Sequence, residues 1–139
     1  MHPISTKKLF DLKLPLFTST VAAGFPSPAE SHSDTKLDLN GYLVKHPEST
    51  FLVKVEGNSM IEAGIFSGDI LVVDRSIEPR NEHIVLAVLD GEFTVKRYVL
   101  SGQKAYLIPE NKAFKAIEIN TNSDFQIWGV VSFVIHKTN

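Results

Sequence analysis

The sequence predicts a mainly β protein: twisted antiparallel strands behind an extended N-terminal arm, with one or two short helices. Three observations lead there. From Thr50 onward, β-branched and aromatic residues gather in seven short runs bounded by turn residues. Asp90-Gly91 lies between two of these runs, "HIVLAVL" and "EFTVKRYVL", which is the strongest short-range hairpin sign. The tract "GFPSPAESHSDTK" (24–36) is polar and rich in Pro and Ser, the composition of an extended arm with too little apolar surface to fold alone.

Taken in order, residues 1–36 form the arm and carry Pro3, Pro15, Pro26 and Pro28, four of the seven prolines. Residues 37–139 form the folded domain. "LDLNGYLVKHP" opens it with one short helix: Asp38 stands at the N-cap, Leu39, Leu43 and Val44 follow at helical spacing, and Pro47 stops the run. Strands are expected over 50–56, 69–74, 83–89, 92–100, 104–109, 116–120 and 126–135. Ser59 to Ala63 reads as a single helical turn. "FSGD" and "IPENKAF" read as turns.

The Asp90-Gly91 pair fixes register. A two-residue loop of this kind takes a type I′ turn with both residues at positive φ. Leu89 then faces Glu92, Ala87 faces Thr94, and Val85 faces Lys96. Alternation sorts the faces. Lys96 shares one with Val85, Ala87, Leu89, Thr94 and Tyr98. Arg97 shares the other with Ile84, Leu86, Val88, Phe93, Val95 and Val99. Both faces are apolar, so each carries one cation that looks out of place.

Composition removes several functions. The net charge is −2, from 14 basic and 16 acidic residues, so the basic surplus of a phosphate-gripping domain is missing and no direct sequence-specific DNA binding is expected. There is no cysteine, which excludes disulfides, thiol catalysis and zinc thiolates and fits a reducing, cytoplasmic setting. "ILVV" and "IVLAVL" are far too short to cross a membrane. Val21-Ala22-Ala23 has the small residues of a signal-peptidase site, but Asp11, Lys13 and Pro15 break the apolar stretch a secretory signal needs. The five histidines show no metal spacing, and no cofactor is expected.

One stretch bears on chemistry. In "VEGNSM" (55–60), Ser59 stands on a Gly-Asn corner between two apolar strands. An ordinary turn would explain it, and so would a nucleophile held clear of a rigid sheet. A serine hydroxyl needs a nearby base. No motif links any histidine to Ser59. Arg97 cannot lose its proton, whereas a desolvated lysine can. The bland reading of Lys96 is a snorkelling side chain with its amine in water. The sharper reading is a base, with its pKa lowered from about 10.4 toward about 7–8 at a cost of ~4 kcal/mol, which removal from water can supply. Ser–Lys pairs are an established variant of the catalytic triad.

"EGNSMIEAGIFSGDILVVD" followed by "DGEFTVKRY" resembles the self-cleaving domain of the LexA/UmuD family. The likeness extends to "LPLF", "GFPSPA", the "DLN…HP" segment and "LIPEN", and so covers nearly the whole chain. It implies a LexA-like peptidase domain, with Ser59 as nucleophile and Lys96 as general base. It also implies cleavage at the dipeptide Ala23-Gly24, whose small side chains suit a narrow cleft. The backbone N–H groups of Asn58 and Ser59 are the expected oxyanion donors. The 23 residues before Gly24 are too few for the helix-turn-helix domain of the repressor members. The resemblance therefore implies a processed homodimer that joins a UmuC-type error-prone polymerase for translesion synthesis in the SOS response. Cleavage would be stimulated by RecA filaments on single-stranded DNA. The alternative is a non-catalytic β-rich dimerisation or binding module with Ser59 in an ordinary turn. A peptidase acting in trans, like signal peptidase, shares the chemistry but is disfavoured by the missing membrane anchor.

Overall fold

All seven runs of β-forming residues after Thr50 are strands in the computed structural model, which describes residues 12–17, 23–24, 35–119 and 125–139. The chain divides into two compact units, Met1–Lys45 and His46–Asn139.

In the first unit, β1 (Leu14–Leu16) pairs antiparallel with β2 (Thr35–Leu37), with Pro15 opposite Lys36. The arm was expected to be merely extended, so this short ladder is an addition. Helix α1 (Leu39–Leu43) follows as expected. Asp38 holds the N-cap position, but its side chain makes no capping bond; its carbonyl accepts the Tyr42 N–H at 2.9 Å. Leu12, Leu14, Leu16 and Phe17 are exposed.

The second unit is a seven-stranded antiparallel sheet. Its strands are β3 (Thr50–Lys54), β4 (Ile70–Asp74), β5 (Ile84–Leu89), β6 (Glu92–Ser101), β7 (Lys104–Ile108), β8 (Ile117–Ile119) and β9 (Phe125–Ile135). The spatial order is β3-β4-β9-β5-β6-β7-β8. Each strand from β5 to β7 pairs with its successor, as short connections favour. β9 returns to fill the gap between β4 and β5.

The hairpin register is the one its turn dictates. Leu89 pairs with Glu92, Ala87 with Thr94 and Val85 with Lys96. Asp90 and Gly91 have φ of 50° and 82°, the left-handed pair that a type I′ turn requires. The two hairpin faces feed two buried clusters. Leu86 joins Met60, Ile65, Leu71 and Val73, with Ile84 and Val95 packed at the margin. Val85 and Ala87 join Leu107 and Val130, with Tyr98 at the margin. Each fully buried Leu, Ile or Val contributes about 1.5–3 kcal/mol, so β5, apolar on both sides, ties the halves of the core together. Gly129 sits where β9 crosses β4; a Cβ there would lie 2.6 Å from Val73 Cγ1. Trp128, also on β9, is edge-on to both Phe51 and Phe93, and the Arg75 guanidinium lies 4.6 Å from its ring centre. Among the described residues, no helix is long and apolar enough to cross a membrane.

Candidate active site

The connection from β3 to β4 carries Ser59. It leaves β3 as a continued ladder, with Val55 N–H donating to Asp69 O and Gly68 N–H to Val55 O, both at 2.8 Å. Its tip then closes into a tight turn, with Ile61 N–H on Asn58 O and Ala63 N–H on Met60 O, and residues Ile61–Ala63 form one 3-10 turn. Met60 is 2% exposed and sits in the core. One residue earlier, Ser59 is half-buried at the surface of that core. Burial of the methionine thus anchors the backbone that presents the hydroxyl.

Lys96 comes from β6, 37 positions further along. Its Nζ lies 3.0 Å from Ser59 Oγ and 3.1 Å from the carbonyl oxygen of Val95. Burial pushes the amine's pKa below the usual lysine value, because the charged form loses hydration that nothing fully replaces. The structure thus brings together the two side chains that the sequence singles out, but the surroundings differ from the expected ones. Alternation places Lys96 beside Val85 and Ala87. The cleft that it enters is lined instead by Val53, Val55, Met60, Leu86, Phe93 and Val95, and Leu86, Phe93 and Val95 belong to the opposite face. The reason lies in the pairing. The β6–β7 ladder ends at Arg97 opposite Ile108, so the outer edge of β6 is open over 92–96. There the long lysine stem turns back against its own strand and reaches the cleft.

The cleft encloses about 470 Å³ and is open to solvent along one side. Asn58 is exposed at its rim. Ala23 and Gly24 are both exposed, in a bend of the first unit.

Two features of this unit have no sequence signal. Glu110 O accepts the Glu62 N–H at 2.7 Å, and Glu110 N–H points to Met60 Sδ at 3.3 Å. Asn111 Nδ2 donates to Asn58 O at 2.7 Å. The "IPENKAF" segment was expected to be a turn; it is also a strap across the serine corner. The second feature is a pair of Asp–His contacts at the two ends of β4. His46 Nδ1 lies 2.6 Å from Asp74 Oδ2, and His136 Nδ1 lies 2.6 Å from Asp69 Oδ1. Both aspartates are 3% exposed. Burial alone would raise the Asp74 pKa, but His46, Ser76 and Ser49 together hold it well below the usual carboxylate range. The Phe66 N–H, then His136, lowers that of Asp69. Gly68-Asp69 makes the expected turn into β4, with Asp69 N–H on Phe66 O at 3.0 Å. Among the described residues, no histidine bonds to Ser59, and no cluster of His, Asp or Glu could hold a metal ion. His2 and His32 lie outside the described residues.

The chain is similar to several known proteins. The chain is 47% identical over 124 residues to protein SamA of Salmonella typhimurium, covering 89% of this chain and 86% of that one. It is 42% identical over 125 residues to protein ImpA of Escherichia coli, covering 89% and 84%. It is 40% identical over 128 residues to the LexA repressor of Pseudomonas chlororaphis, covering 91% of this chain and 62% of the repressor. The family described as Peptidase S24-like matches residues 15–132, and the chain belongs to that family.

Proposed function

We propose that this protein is a self-cleaving serine peptidase that cuts its own arm between Ala23 and Gly24. The observation that carries the reading is the 3.0 Å approach of Lys96 Nζ to Ser59 Oγ, at an amine whose burial favours the neutral form. A neutral amine accepts the Ser59 proton as Oγ bonds to the Ala23 carbonyl carbon. The N–H groups of Asn58 and Ser59 stabilise the oxyanion that develops. The lysine then passes the proton to the Gly24 nitrogen as the peptide bond breaks. Water, deprotonated by the same amine, releases the Ala23 carboxylate and regenerates Ser59. The open edge of β6 offers peptide groups to an extended substrate chain. Attachment of the substrate to the enzyme supplies the effective concentration.

The product, residues 24–139, serves on this reading as a homodimer that assists a UmuC-type translesion polymerase in the SOS response. RecA filaments stimulate the cut by favouring the docked arm, without adding a catalytic group. Family membership supports this part, together with the relatives SamA and ImpA. Residues 1–36 are the regulated arm and 37–139 the working domain.

Incubation of the purified chain at alkaline pH tests the reading. Slow scission after Ala23, absent in Ser59→Ala and Lys96→Ala, is expected. A parent chain that stays intact with and without a RecA filament would favour a non-catalytic binding module.

A further inference from the structure

The hairpin carries two cations, and the proposed chemistry uses only Lys96. Arg97 has a separate task. Its Nε donates to Glu110 Oε1 at 2.8 Å, and its Nη1 donates to Glu82 O at 2.8 Å. Glu110 lies just past β7 and leads directly into Asn111. From there, three contacts reach the serine corner: Glu110 O takes the Glu62 N–H, Glu110 N–H meets Met60 Sδ, and Asn111 Nδ2 donates to Asn58 O.

The last contact matters most. Asn58 O and Ser59 N–H belong to the same peptide group. A trans peptide is planar and points its C=O and N–H in opposite directions. Whatever holds the Asn58 carbonyl therefore aims the Ser59 N–H. Asn58 O accepts two bonds, from Asn111 Nδ2 at 2.7 Å and from Ile61 N–H at 3.3 Å. The shorter comes from outside the turn. Asn111 is itself oriented, since its Oδ1 accepts the Ala113 N–H at 3.0 Å. That bond leaves its amide nitrogen directed at Asn58.

We infer that Asn111 is a positioning residue: held by the Arg97–Glu110 pair, it fixes the Asn58–Ser59 peptide plane so that the Ser59 N–H faces the developing oxyanion. The inference rests on the self-cleavage reading above. Its structural half, rigidity of the serine corner, stands apart from that reading.

Asn111→Asp isolates the donor. The aspartate keeps an oxygen for the Ala113 N–H and loses the N–H that Asn58 receives. The plateau rate of self-scission should fall by about 10- to 100-fold, the scale of a misaimed oxyanion donor. The pH midpoint and the thermal midpoint should stay near those of the parent chain. A plateau at the parent rate overturns the inference. So does a plateau preserved behind a shifted pH midpoint, which would mean that the new charge acts only on Lys96. Amide hydrogen exchange gives a readout that needs no cleavage: Ser59 to Glu62 should exchange faster in Asn111→Asp, while β4 and β9 do not change. If the parent chain does not cut itself, the functional reading fails and exchange alone decides the strap. Unchanged exchange at the corner then overturns it.

Discussion

Lys96 and Ser59 meet because two independent anchors converge. Burial of Met60 holds the serine, and the Asp90-Gly91 turn sets the register of the lysine. Together they set the 3.0 Å contact. The direction of that hydrogen bond depends on pH: a charged amine only donates to Oγ, and a neutral one can accept its proton.

The first prediction concerns rate and pH. Self-scission should rise about tenfold per pH unit and then level off below the pH at which a free lysine titrates, near 10.4. The sign follows from the lowered lysine pKa. The burial penalty on the charged amine is complete at low pH and disappears as the amine deprotonates. A first-order rate profile from pH 6 to 11 tests this. A profile still rising steeply above pH 10.5 would count against Lys96 as the base.

Acid stability should report on Asp74. Its carboxyl pKa is lower in the folded chain than in the unfolded one. The associated stability is therefore complete above the unfolded value, about 3.9, and is lost as pH falls below it. Asp74→Asn should cost about 1–3 kcal/mol at pH 7, by weakening contacts to His46, Ser49 and Ser76. The gap from the parent chain should narrow below pH 4. Urea titrations at pH 7 and pH 3 would measure both differences.

The hairpin turn couples stability to activity. Gly91→Val would place a β-branched residue at φ 82°, at a cost of at least about 1–2 kcal/mol. Any slip in register moves Lys96 to the other face. Self-scission should therefore fall by more than the loss of folded protein explains, as parallel rate and circular-dichroism measurements would show.

Gly129 tests the packing of β9. An added methyl would sit 2.6 Å from Val73 Cγ1 and 3.1 Å from Asp74 O. Because one contact is backbone, relief by side-chain motion is incomplete. Gly129→Ala should destabilise by about 1–3 kcal/mol in denaturant unfolding. A neutral outcome would mean that β9 can shift away from β4.

Local patterns revealed most of the fold. The strand runs have the right composition and alternation, and each strand from β3 to β9 falls within two residues of its expected span. The Asp-Gly turn settled the pairing from Val85–Lys96 to Leu89–Glu92. Sheet order was not legible, since nothing near "VVSFVI" says that β9 inserts between β4 and β5. The surroundings of Lys96 were misjudged for a different reason. Backbone alternation holds through the β5–β6 ladder, but it does not say where a long side chain ends once β6 loses its outer neighbour at Arg97. The Asp–His contacts escaped because they join residues 28 and 67 positions apart through side chains alone. The β1–β2 ladder escaped because "LPL" is three residues long and holds a proline, a weak strand sign.

The open margin of β6 over 92–96 carries a liability as well as an opportunity. Unpaired strand margins recruit stray chains and seed aggregates, and a lysine there is a common natural guard. Lys96 fills that role while it is charged, occupying the Val95 carbonyl and repelling a second copy of itself. Loss of its proton would remove that local repulsion, so this margin is least guarded at alkaline pH even as the net negative charge of the whole chain grows.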